Sequence, residues 1–176
     1  MTKSNKFEEI VKPLIVLIGI CLVVSVLLGF THSITAPIIE SSGDAQADQT
    51  RAEVLEGATS FTKIKCDTEA LGIDSAYKEK SGLGYVITAS NKGYGGSVVV
   101  MVGIDPNGTV VGLSVDVSTE TTGIGSKAGE AEYTDKYIGA SGTADVDTIS
   151  GATKSSSAVK AGVNAALAAF EAVKGE

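Results

Sequence analysis

The sequence is poor in the residues that usually carry chemistry. Its 176 positions hold one histidine, His32, two cysteines, Cys21 and Cys66, and no tryptophan. A single histidine cannot furnish a His-rich metal site, and it argues against a His-based triad. No C-x-x-C pair occurs, so an iron–sulfur cluster, covalent haem or thioredoxin-type dithiol cannot be held by this chain alone. No metal ligand set and no catalytic side chain are expected. Any difficult chemistry then falls to a borrowed organic cofactor. Fourteen basic residues against 21 acidic ones give a formal charge of −7. Such a chain repels phosphates rather than releasing counterions, which excludes nucleic acid as a partner.

The apolar content is concentrated. Mean hydropathy is +0.22, and much of it comes from Pro13–Phe30, PLIVLIGICLVVSVLLGF, which holds no charge. At ~1.5 Å per residue this stretch covers roughly 27 Å, close to a bilayer's hydrocarbon thickness. Lys3, Lys6 and Lys12 precede it, and Glu40, Asp44 and Asp48 follow it. The lysine asymmetry places the N-terminus in the cytoplasm. The expected layout is a cytoplasmic N-terminus at 1–12, a transmembrane helix at 13–34 in contact with lipid, and an extracytoplasmic domain at 35–176. A cleaved signal peptide is the rival reading. The apolar core is longer than such peptides carry, and the small-residue cut site at Thr35-Ala36 runs into Pro37. Cys21 would lie in the membrane and Cys66 outside it, so the two would not pair.

The exported part reads as one α+β domain. A helix is expected from caps at Ser42 or Asp44 through AQADQTRAEVLE to Gly57. Residues 61–80 are ambiguous: FTKIK alternates like a strand, and CDTEALGIDSAYK suits a loop and a short helix. GYVITAS (84–90) and SVVVMVGID (97–105) are strand-like, and PNG turns the second into TVVGLSVDVS (109–118), so 97–118 is an antiparallel hairpin. At the C-terminus, Val159, Val163, Ala166, Leu167, Phe170 and Val173 recur at helical spacing, which predicts a helix packed on the sheet.

Three segments carry candidate chemistry. The first is Asp147-Thr148-Ile149-Ser150-Gly151-Ala152-Thr153-Lys154-Ser155-Ser156. It brings a chain of small residues to a helix start, where free backbone N–H groups and a positive dipole end favour phosphate. By itself, a hydroxyl-rich helix start is more often just a cap. The second segment is Ser118-Thr119-Glu120-Thr121-Thr122-Gly123-Ile124-Gly125-Ser126-Lys127, which alone reads as a flexible loop. The third is Gly93-Tyr94-Gly95-Gly96, an ordinary glycine turn or a place where a flat ring meets backbone and Tyr94.

Together the segments resemble a known family. The first resembles the flavinylation signature D-x-[aliphatic]-[S/T]-G-A-T-x-[S/T]-S of FMN-binding domains. Even its S/T-G-A-T core arises by chance in only about one chain of this length in a hundred. The second resembles the E-T-P-G-L-G-x-K segment shared by the Rnf G subunit and the Nqr C subunit, with Thr122 in place of proline and Ile124 in place of leucine. The third resembles the same family's G-Y-x-G stretch. The likeness runs through nearly the whole chain, and its short length favours the G subunit of the Rnf electron-transport complex.

The resemblance implies FMN attached by a flavin transferase through a phosphoester to Thr153. It makes Ser150, Gly151, Ala152, Lys154, Glu120, Thr121, Gly123, Ile124, Gly125, Lys127, Tyr94 and Gly95 candidates to line the cofactor. Lys154 and Lys127 would hold its phosphate. It also implies an electron-transfer component, assembled with other membrane subunits, of an ion-translocating ferredoxin:NAD oxidoreductase. The alternatives are an FMN module of another membrane reductase, of the Nqr type, and a cofactor-free anchored binding domain.

Overall fold

A computed structural model describes the backbone of residues 4–174, and the side chains of 11–29, 31 and 47–174. Lys3, Lys6, His32 and the caps at Ser42 and Asp44 lie outside the described side chains. Helix α1 is Ser4–Val54. No separate helix begins at residues 42–44, because the backbone there is already helical. Within α1, Val11–Gly29 is long and apolar enough to cross a membrane. The chain divides into two compact units, Met1–Gln46 and Ala47–Glu176.

The second unit is built on a five-stranded sheet in the order β1-β2-β3-β4-β5, with every neighbouring pair antiparallel. The strands are β1 Phe61–Lys63, β2 Ser75–Glu79, β3 Tyr85–Lys92, β4 Ser97–Ile104 and β5 Val110–Asp116. The expected hairpin is β4–β5. Its turn is closed by the Asp105 carboxylate, which accepts from the backbone N–H groups of Asn107 at 2.9 Å and Thr109 at 2.7 Å. The ambiguous stretch resolves into α2, Thr68–Leu71, capped by Asp67, and then β2. The short polar run SAYKE has little strand character of its own, and pairing with β3 makes it one.

Helix α4, Thr153–Val173, lies across one face of the sheet. The six apolar positions expected on its buried stripe are all within 2% of full burial. They meet Val98, Val100, Val102 and Ile104 of β4, which alternate toward the helix and are fully buried. Each fully buried chain of this kind contributes about 1.5–3 kcal/mol, so α4 is the main clamp on the sheet.

The end of α1 meets the other face. A Cβ at Gly103 would lie 2.3 Å from the Val54 carbonyl oxygen, and one at Gly112 would lie 2.0 Å from it. Arg51 is buried there, stacked 3.7 Å from the Tyr77 ring centroid and ion-paired with Asp48. Between β5 and α4 the chain forms a 3-10 turn at Gly125–Gly129, the short helix α3 at Ala131–Thr134 and a second 3-10 turn at Asp135–Tyr137. Asn164 of α4 holds the segment that follows. Its amide accepts from the Ala144 N–H at 2.8 Å and donates to the Ala144 carbonyl at 3.1 Å.

Candidate functional site

The turn into α4 explains most of the signature's small residues. The Ala152 N–H donates to the Ile149 carbonyl at 3.0 Å, closing a tight turn with Gly151 at φ +83°. That backbone conformation favours glycine. Ser156 then locks the turn. Its hydroxyl accepts from the Ile149 N–H at 3.1 Å and donates to the Ala152 carbonyl at 2.8 Å. Below it, the buried Tyr133 hydroxyl meets that of Tyr137 at 2.9 Å, and burial pushes the Tyr137 hydroxyl up from its ordinary value.

Helix α4 has no side-chain cap at Ala152. The N–H groups of Thr153, Lys154 and Ser155, its first turn, have no acceptor among the described residues. They present the positive end of a 21-residue helix. Thr153 and Lys154 are exposed, whereas Ser155 and Ser156 are buried.

Glu120 joins all three motifs. It is 6% exposed. Its Oε1 accepts from the backbone N–H groups of Tyr94 at 3.0 Å, Gly95 at 3.0 Å and Gly96 at 3.4 Å. Its Oε2 accepts from the Ser155 hydroxyl at 2.5 Å. The Ser155 hydrogen bond, and then the loop N–H groups, hold this carboxyl below its ordinary value against the opposing effect of burial. Two glycines make room for it. A Cβ at Gly93 would lie 2.3 Å from Oε1, and one at Gly125 would lie 2.7 Å from both Oε2 and the Ser155 oxygen.

These elements enclose a cleft of about 520 Å³, lined by Tyr94, Glu120, Thr121, Ile124, Gly125, Gly151, Ala152, Thr153, Lys154 and Ser155. Residues far apart in sequence thus meet at one place. Tyr94 is 74% exposed and Ile124 is 52% exposed, so the cleft offers an aromatic and an aliphatic wall beside an uncapped helix end. Its volume falls in the range of small-molecule sites. That donor set suits a flavin nucleotide: apolar walls for the ring, and N–H groups with Lys154 for the phosphate.

Four expected residues are not among those lining the cleft: Ser150, Gly123, Lys127 and Gly95. The space a Gly95 side chain would need is filled by the Thr119 carbonyl, 2.2 Å from a Cβ there. Gly123, at φ +78°, serves the turn whose N–H donates to the Ser126 hydroxyl at 2.8 Å. Ser155, which the sequence marked only as one of the hydroxyl donors at the helix start, also lines the cleft. Its signal was present in the hydroxyl at the third helical position, where a side chain points back along the helix start.

Comparison with known proteins agrees with this geometry. Residues 93–168 match the family described as FMN-binding domain. The match begins at the glycine loop and ends within α4, so it contains every residue lining the cleft. The class to which residues 93–168 are similar is therefore that of FMN-binding domains. The more particular likeness is to the G subunits of ion-translocating oxidoreductase complexes. The chain is 27% identical over 158 residues to the G subunit of the proton-translocating ferredoxin:NAD(+) oxidoreductase complex of Clostridium ljungdahlii, covering 84% of each chain. It is 28% identical over 186 residues to the Na(+)-translocating counterpart of Acetobacterium woodii, covering 89% of each. It is 26% identical to the G subunit of the ion-translocating oxidoreductase complex of Methanosarcina acetivorans, over 96% of this chain and 98% of that one. The chain is thus similar to Rnf G subunits over most of its length, as its motifs implied.

Proposed function

We propose that this chain is the membrane-anchored FMN subunit of an ion-translocating ferredoxin:NAD oxidoreductase complex, and that its FMN is joined by a phosphoester to Thr153. The observation that carries the reading is the position of Thr153. It stands exposed at the first helical position of α4, in the cleft with Tyr94 and Ile124, beside three N–H groups that have no acceptor among the described residues. A phosphate on its Oγ lies where the helix end favours negative charge.

FMN accepts and passes on one or two electrons, which suits a relay between one-electron partners. The chain's own residues bind and orient. Thr153 supplies the tether, and its Oγ–H bond gives way to an O–P bond. The P–O bond of the activated flavin nucleotide would break as the new one forms, its phosphate leaving group departing to solvent and the Thr153 proton passing to a base of the transferase. Lys154 offsets the phosphate charge. Tyr94 and Ile124 would hold the ring and shield it from water. No side chain has to move a proton. The tether also prevents loss of cofactor by dilution outside the cell, because occupancy of a free ligand follows its concentration.

The lysines ahead of the uncharged run Pro13–Phe30 and the acids beyond it support a cytoplasmic N-terminus and an extracytoplasmic FMN domain. Ion translocation belongs to multi-span partner subunits, because one uncharged helix offers no ion path.

The test is direct. The full chain, co-expressed with a flavin transferase, is denatured and run on a gel, and the modified peptide is mapped by mass. A yellow-fluorescent band with FMN on the Thr153 peptide is expected. A colourless band, or a fluorescent Thr153→Val variant, overturns the tether. Co-purification of a multi-subunit membrane complex separates the Rnf reading from a lone FMN module.

A further inference from the structure

We infer that Glu120 is a positioning residue for the flavin rather than a flavin ligand: one buried carboxylate holds the Tyr94 loop and the first turn of α4 in register, so that the ring wall and the tether face the same cleft. The inference rests on the FMN reading above.

Hydrogen-bond capacity decides what this carboxylate can hold. An ionised carboxylate has about four acceptor sites. Glu120 receives four protein donors: the N–H groups of Tyr94, Gly95 and Gly96 on Oε1, and the Ser155 hydroxyl on Oε2. Oε1 is fully occupied by the loop and Oε2 spends one of its two sites on Ser155, so most of its capacity goes to the protein and little is left for ring or ribityl groups. The three N–H groups converge on one oxygen, and that oxygen fixes the course of an exposed loop. The Tyr94 side chain is 74% exposed, so its own packing holds the loop weakly.

At the other end, Ser155 sits two residues from Thr153 on the same helical turn. The carboxylate thus spans from the wall of the cleft to the turn that bears the tether. Gly93 and Gly125 belong to two of the motifs, and each lacks the Cβ that would strike Glu120 or its partner. Part of the glycine content of the site is therefore explained by the carboxylate and not by the ring.

Two variants separate positioning from folding. Glu120→Gln keeps the shape: its carbonyl can face the loop N–H groups and its amide the Ser155 oxygen, with neutral bonds in place of charge-assisted ones. Glu120→Ala leaves three N–H groups and a hydroxyl without their acceptor. Amide exchange is followed at Tyr94, Gly95 and Gly96 in the full chain, alongside the midpoint potential and fluorescence of the attached flavin.

For Glu120→Ala, exchange at these three amides should quicken by about tenfold or more, while β3 and β4 amides keep their protection. The flavin's potential and fluorescence should both shift. Glu120→Gln should restore much of the protection. Two results would overturn the inference: unchanged exchange at 94–96, or flavin with the potential and fluorescence of the unaltered protein in a Glu120→Ala chain whose loop has opened. A flavin-free unaltered chain would instead strike at the FMN reading, and the exchange data would still decide whether Glu120 holds the loop.

Discussion

Gly125→Ala tests the convergence of the motifs most sharply. The new Cβ would sit 2.7 Å from both Glu120 Oε2 and Ser155 Oγ, two atoms that are themselves 2.5 Å apart in a hydrogen bond. Both side chains are buried, at 6% and 2% exposure, so neither has open space to retreat into. The methyl group has to part them or shift the loop. A hydrogen bond to a charged group contributes about 1.5–3 kcal/mol. Overpacking a tight site costs about 1–3 kcal/mol. Because parting the pair relieves the crowding, the two do not add in full, and a loss of about 2–4 kcal/mol is expected.

For a domain of this size that is a fall of roughly 8–16 °C in Tm, read by thermal unfolding of the full chain in detergent. Gly123→Ala is the control. A Cβ there meets nothing within 4 Å, and its strain comes only from φ +78°, worth about 1–2 kcal/mol. Flavin attachment should fall more for Gly125→Ala than for Gly123→Ala. If Gly125→Ala proves no more damaging than Gly123→Ala in both assays, the close packing of Glu120 and Ser155 around residue 125 is refuted.

Thr153→Val should abolish attachment while leaving Tm almost unchanged, because the Thr153 side chain is exposed and makes no hydrogen bond among those described. Lys154→Ala should slow attachment more than Lys127→Ala, since only Lys154 lines the cleft; equal effects, measured by mass, would count against the phosphate role. Glu120 has a folded-state pKa below its ordinary value, so the stability it contributes is present above the unfolded pKa and lost as pH falls through the folded one. Denaturation midpoints at pH 7 and at about pH 3.5–4 should therefore differ less in Glu120→Gln than in the unaltered chain. Phe170→Ala, which empties a site 2% exposed under the sheet, should cost about 3–5 kcal/mol by denaturant titration.

The hairpin, the apolar helix and the stripe of α4 were legible because each rests on local periodicity or turn chemistry. Val98, Val100, Val102 and Ile104 alternate, and Val159, Val163 and Phe170 recur at helical spacing, whatever lies beyond them. Strand β2 was not legible, because SAYKE becomes a strand only through its partner. The absence of a helix start at Ser42 had the same cause in reverse: a capping residue stops nothing when the preceding turn is already helical.

At the site, the sequence alone determined which chemistry is available. A chain with one histidine and no paired cysteines leaves redox work to a cofactor, and the Ser150–Thr153 signature points to the residue that would hold it. Only the tertiary structure decided what surrounds that residue. It placed Tyr94, Ile124 and Thr153 around one cleft, left Lys127 and Gly95 off its lining, and turned Glu120 toward the protein. The physical reason is that a carboxylate's role depends on which donors reach it. Those donors come from residues 94, 95, 96 and 155, which no local spacing relates to position 120.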